Sequence, residues 1–81
     1  MAAKIGIITH YYDKLGVGIV KLSRALKKGD PIKVTGSTTD FEQVVDEMQY
    51  DHKELESAKK GQEVGIKMDE KVREGDEVTS V

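Results

Sequence analysis

The chain has no cysteine and no tryptophan, a single proline, and only four aromatic side chains, Tyr11, Tyr12, Phe41 and Tyr50. Without cysteine there is no disulfide framework and no thiolate metal site, the usual stabilisers of small secreted domains, so a reducing compartment is expected. No apolar run approaches the roughly 18 residues a membrane helix requires, and the first six residues lack a charged segment leading into a long apolar stretch. The chain therefore reads as a complete cytoplasmic protein. With so few aromatics the core must be aliphatic, and surfaces on which bases might stack are scarce. At 81 residues the chain suits one domain, 1–81, burying roughly 60–65% of the surface that its unfolded form exposes, with little room for a deep active-site cleft.

What is abundant is charge, 35% of residues, with a net value of −2. It is unevenly placed: residues 1–39 carry seven Lys/Arg against two acids, whereas residues 40–81 carry six against thirteen. Folded into one barrel, Lys14, Lys21, Arg24, Lys27, Lys28 and Lys33 would either share a side and form an anion-attracting patch or offset the acids of the second half.

The pattern is one of strands. Ile5, Ile7 and Tyr11 share one phase, Val17–Leu22 is short and β-branched, and Ile32 and Val34 alternate with Lys33 and Thr35. Near the end, Val64, Ile66 and Met68 alternate, and Gly75-Asp76 opens a last run to Val81. One signal recurs three times, in Lys28-Gly29-Asp30-x-Ile32, Lys60-Gly61-Gln62-x-Val64 and Glu74-Gly75-Asp76-x-Val78. Unequal intervals make it a mark of three strand starts rather than a repeat architecture.

The middle supports two readings. Phe41, Val44, Val45 and Met48 have the spacing of an amphipathic helix, with Asp40 as a possible N-cap. As a strand, the segment would bury Val44, Met48 and Tyr50. The following 53–60 stretch reads as a short helical turn closed by Gly61, with Leu55 and Ala58 facing in.

Several chemistries find no support. There is no phosphate-binding G-x-x-x-x-G-K-[ST], and Gly16-x-Gly18 has no helix after it to hold a nucleotide. His10 with Asp13, and Asp51 with His52, are too far apart in sequence to suggest a metal site. Ser23, Ser37, Ser57 and Ser80 have no nucleophile-elbow context. The hydroxyl-rich 36–40 loop reads as a turn that can also present amides to an anion. No cofactor, metal or catalytic residue is expected.

From Ile8 to Val81 the chain resembles the β-barrel domain II of elongation factor Tu and related translation GTPases. The residues that carry the resemblance are Leu15-Gly16-Val17, Leu26 to Val34, Asp46-Glu47-Met48, Ala58 to Ile66, and Gly75 to Val78. The resemblance implies an all-β fold, a small closed or partly open barrel of six or seven strands, and a strand at 41–50. It also implies a pocket for the aminoacyl end of tRNA at Glu47 with Ile66 or Met68.

Two functions follow as expectations. One is a non-catalytic module bound to tRNA, rRNA or the ribosome, with the six basic residues above on phosphates and Tyr12 or Tyr11 as a stacking face. The other is a protein-interaction module docked on a partner enzyme such as a collagenase-like peptidase or a GTPase subunit, since domains of this type also occur appended to other proteins.

Overall fold

The structure is a computed structural model that describes residues 3–50 and 53–81. Ten strands are present and no helix among the described residues. They are β1 (Lys4–Tyr12), β2 (Val17–Leu22), β3 (Leu26–Lys27), β4 (Pro31–Thr35), β5 (Asp40–Val44), β6 (Met48–Tyr50), β7 (Lys53–Glu54), β8 (Ser57–Ala58), β9 (Glu63–Lys67) and β10 (Glu77–Ser80). Eight form one antiparallel sheet in the order β5-β4-β10-β1-β2-β9-β6-β7, and β3 pairs with β8 in a small second sheet.

This is a half-open barrel, not a closed one of six or seven strands. β5 ends one side of the sheet and β6 lies next to the other end, yet only Val45, Asp46 and Glu47 separate them in sequence. Three residues span at most about 10–14 Å, so the sheet must curl until its ends nearly meet. Bulges in β1 help it turn: Ile5 is extra against β10 and Thr9 is extra against β2, each adding local twist. The first bulge also explains a departure from the simple alternation. Ile5 and Ile8 face the core while Ile7 is exposed.

The core is aliphatic as expected, with Phe41 its one buried aromatic ring. Ile32, Val34, Val64, Ile66, Met68 and Val78 are all buried. The 40–50 segment is extended, as the strand reading held, but with the opposite phase in its first half: Phe41, Gln43 and Val45 face in, while Val44 and Tyr50 are exposed. The corner at 45–47 then brings Met48 inward. Two short strands out of phase thus bury positions 41, 45 and 48, which imitates helical spacing. The expected helical turn at 53–60 is replaced by β7 and β8. Leu55 and Ala58 pack against the core as expected, but from extended chain that pairs with β6 and β3.

The recurrent Gly signal is one structural device used three times. In each copy the glycine has positive φ, 94° at Gly29, 90° at Gly61 and 91° at Gly75, which suits the third position of a type II turn. The next residue's side chain accepts a bond from the backbone N–H three residues earlier: Asp30 from Lys27 (2.9 Å), Gln62 from Lys59 (2.7 Å) and Asp76 from Arg73 (2.9 Å). Each turn also grips one buried aliphatic residue by both backbone groups. Val45 donates to the Asp30 carbonyl and accepts from Gly29, Leu22 donates to Gln62 and accepts from Gly61, and Ile8 donates to Asp76 and accepts from Gly75.

The remaining gap is closed by a side chain. Gln43 on the edge strand β5 is buried; its Nε2 donates to the Lys67 carbonyl (2.8 Å) and its Oε1 accepts from the Asp69 N–H (2.8 Å). One amide therefore supplies the donor and the acceptor that a neighbouring strand would have supplied.

Replacing Gln43 by Ala leaves both groups unpaired, at about 1–3 kcal/mol for each that water fails to reach. We expect Gln43→Ala to lower the melting temperature by roughly 10–20 °C, and Gln43→Glu, which cannot donate to Lys67, to lower it as well; a melting temperature within a degree or two of the parent in both variants contradicts the clasp. Gly75→Ala forces an L-residue into the left-handed region, and a loss of about 1–3 kcal/mol is expected in urea denaturation. No loss would mean that the turn tolerates another conformation.

Candidate functional site

The sequence-derived basic residues do not converge. Lys14 lies in the turn joining β1 to β2, whereas Arg24, Lys27 and Lys28 follow the other end of β2, about 20 Å away at the usual rise of a strand. Lys21 stands on β2 opposite Glu63 of β9, and Lys33 on β4 lies 3.8 Å from Asp40. Tyr12 is exposed, its ring packed edge-on against His10 with centroids 4.4 Å apart.

The ion pairs bridge the two oppositely charged halves. Lys4–Glu77 (3.9 Å), His10–Glu74 (3.5 Å), Lys28–Glu54 (2.8 Å) and Lys33–Asp40 (3.8 Å) each join a cationic or basic side chain of the first half to an acid of the second. In the tightest of these, the Glu54 hydrogen bond and charge raise the Lys28 ammonium above its ordinary 10.5, and Lys28 holds the Glu54 carboxyl below its ordinary 4.5. Both groups are solvent-exposed, so the pair stabilises the fold little.

The residues implied as an acceptor-end pocket are also apart in role. Glu47 is exposed in the β5–β6 corner, where its carbonyl accepts from the Lys67 N–H (3.1 Å). Ile66 and Met68 belong to the buried core and present no surface to a ligand. Among the described residues no group of three or more His, Cys, Asp or Glu side chains is placed to hold a metal. Asp51 and His52 lie outside the described residues. Ser23 Oγ is bonded to the carbonyls of Lys4 and Ile5, and Ser80 Oγ accepts from the Ala3 N–H. No helix is long and apolar enough to cross a membrane among the described residues.

A different surface stands out, one that sequence reading missed. On the outer face of β2, β9 and β6, a shallow groove of about 440 Å³ is lined by Val17, Ile19, Gly65 and Gln49, with Tyr12, Leu15 and Tyr50 at its rim and Glu63 at one end. Three of these, Tyr12, Leu15 and Tyr50, are among the large apolar side chains left exposed. The sequence signal was there: Val17 and Ile19 are apolar on the phase opposite to Val20 and Leu22, which a one-sided strand does not need.

Comparison with known proteins places the chain elsewhere than among translation factors. It is 46% identical over 76 residues, 93% of its length, to a protease of Methanocaldococcus jannaschii described as uncharacterized. It is 40% identical over 70 residues to a collagenase of Porphyromonas gingivalis. The chain spans 19% of the length of each of these relatives. Among solved structures it superposes with a TM-score of 0.90 on the C-terminal domain of a Geobacillus thermoleovorans protein described as a candidate U32 peptidase, at 20% identity, covering 96% of this chain and 91% of that one. A selenomethionine variant of that domain gives 0.88 at 22% identity. No family model matches the chain.

These findings overturn the resemblance to domain II of translation GTPases and, with it, the translation-factor reading. The physical reason is visible in the fold. Three of the five matching pieces, 26–34, 58–66 and 75–78, are the same Gly turn and strand start, which this chain itself uses three times. They report a turn geometry that any curled sheet can employ, and so do not identify a family.

For the Lys28–Glu54 pair the signs are fixed. Its contribution through Glu54 is present above the unfolded carboxyl value and fades as pH falls through the lowered one. Through Lys28 it is present below 10.5 and fades as pH rises through the raised value. Lys28→Ala is expected to return the Glu54 titration, followed by carboxyl-carbon NMR, upwards towards its ordinary range with little change in melting temperature; an unmoved Glu54 midpoint contradicts the pairing.

Proposed function

We propose that this domain is a non-catalytic accessory module of a collagenase-like peptidase, acting beside a catalytic portion that other sequence provides. The observation that carries the reading is the match of nearly the whole chain to about a fifth of two proteins named as a protease and a collagenase. The fold agrees, since its near-equal in shape is a C-terminal domain of a larger protein.

The chemistry of the surface supports the same division of labour. The ionisable side chains described above sit mostly in exposed pairs or turns, and the hydroxyls of Ser23 and Ser80 bond to backbone. Catalysis requires a nucleophile or activated water held against a positioned base in a partly dry cleft, and the groove on β2, β9 and β6 is shallow and holds mainly apolar and amide groups, with Glu63 alone at one end. Such a surface binds.

The test is an exchange of parts. The P. gingivalis collagenase with its matching segment replaced by this chain should still cleave collagen, the same protein with that segment deleted should lose most of its activity, and the isolated chain should cleave nothing. Collagen cleavage by the isolated chain, or full activity in the deletion, would falsify the reading.

A further inference from the structure

We propose that the groove on the outer face of β2, β9 and β6 binds an extended, uncharged, proline-rich peptide segment. The inference draws its biological use from the accessory reading, but its warrant is the groove.

Charge complementarity argues first. In a chain with 35% charged residues, four other hollows among the described residues are lined by ionised groups: Asp13, Lys71, Arg73 and Glu74 in one, Arg24 and Asp30 in a second, Glu74, Asp76 and Glu77 in a third, and Lys27, Lys28 and Glu56 in a fourth. The β2–β9–β6 groove has a single one, Glu63. That carboxylate lies at one end of the groove and accepts a bond from the Thr9 hydroxyl (3.2 Å), so the body of the groove between Val17, Ile19, Gly65 and Gln49 carries no charge. A charged group seated in that body would lose its hydration and gain no partner; a neutral one fits.

Shape argues next. Gly65 forms the floor, between Ile19 on β2 and Gln49 on β6, its register partners. A methyl group there would come within 3.0 Å of Val17 Cγ1 and 3.5 Å of Ile19 Cδ1. The missing side chain leaves a trough with tyrosines at its rim. Polyproline II segments dock in such aromatic-lined grooves because their rings pack on tyrosine faces and their backbone is extended beforehand, so little conformational freedom is lost on binding. From β1 across β2 and β9 to β6 the groove spans about 14 Å at the usual strand spacing, the length of about four or five residues of that helix. Gln49 and Tyr50 line the groove, and their amide and hydroxyl are donors that free carbonyls of such a segment can accept from. A globular partner would need a broader apolar face than this trough.

The experiment is an NMR titration of the ¹⁵N-labelled chain with a capped Pro-Pro-Gly-Pro-Pro-Gly hexapeptide, with a capped Gly-Ser hexapeptide alongside. Saturable shifts confined to Val17, Ile19, Gln49, Tyr50 and Gly65 are expected with the proline peptide and not with the Gly-Ser one. Gly65→Ala, which fills the floor, and Tyr12→Ala, an exposed rim change that leaves the core untouched, should each weaken binding at least fivefold. The proposal is overturned by an absence of localised shifts, by equal shifts with both peptides, or by undiminished binding in both variants. It is equally overturned if the same amides move on dilution of the peptide-free protein, which would make the groove a contact between copies. A negative titration with a functional collagenase chimera discards the groove alone and leaves the accessory reading standing.

Discussion

A sheet that curls until its ends nearly meet must find partners for the backbone groups at its corners, and the rest of this structure depends on how that is done. Each unpaired buried N–H or C=O costs about as much as a sizeable fraction of a small domain's net stability. The solution is a turn used three times, with glycine in the left-handed region and the next side chain tying back to the turn's first N–H. Each turn grips both backbone groups of one buried residue, Val45, Leu22 or Ile8. Where no strand is left to pair, the Gln43 side chain replaces one. The aliphatic core then fills the enclosed space.

This arrangement explains how 81 residues without a disulfide can hold one face in a fixed shape. The clasps lie at the corners and inside the curl, so the outer face of β2, β9 and β6 is free of structural duty. Apolar side chains can stand there without being needed by the core. The cross-linking of basic first half to acidic second half has a similar effect on electrostatics: exposed pairs balance the surface locally, and the groove is left close to neutral.

Much of the fold was legible in the sequence, for reasons that can be named. The strand starts after Gly29, Gly61 and Gly75 were visible because the turn requires a particular residue type at a particular place, and the inward set Val64, Ile66 and Met68 because β9 has no bulge in it. Ile7 was misassigned because a bulge at Ile5 shifts the phase, and nothing in the residue types announces a bulge. At 41–48 a corner between two strands reproduced a helical spacing, and at 53–60 two two-residue strands were too short to show a period. Gln43 was unreadable: a polar residue on an inward position is recognised as a clasp only when Lys67 and Asp69 are seen opposite it. The translation-factor assignment failed for the same reason that the turns were readable, since a recurring turn signal was taken as the mark of a family, whereas the alternative of a module on a collagenase-like peptidase fits the comparisons better. The groove was missed because it is assembled from β1, β2, β9 and β6, which lie up to about fifty residues apart in the chain.

The central claim is that the corner clasps, not only the strand ladders, carry the cooperative stability of the domain. Native-state amide hydrogen exchange addresses it directly. The Ile8, Leu22, Val45 and Asp69 amides, although they lie at strand ends, bulges or beyond, are expected to exchange with the slowest class, through openings close to global unfolding. If these four exchange as fast as the Leu15 and Gly16 amides of the β1–β2 turn while mid-strand amides stay protected, the clasps open locally and the account is wrong.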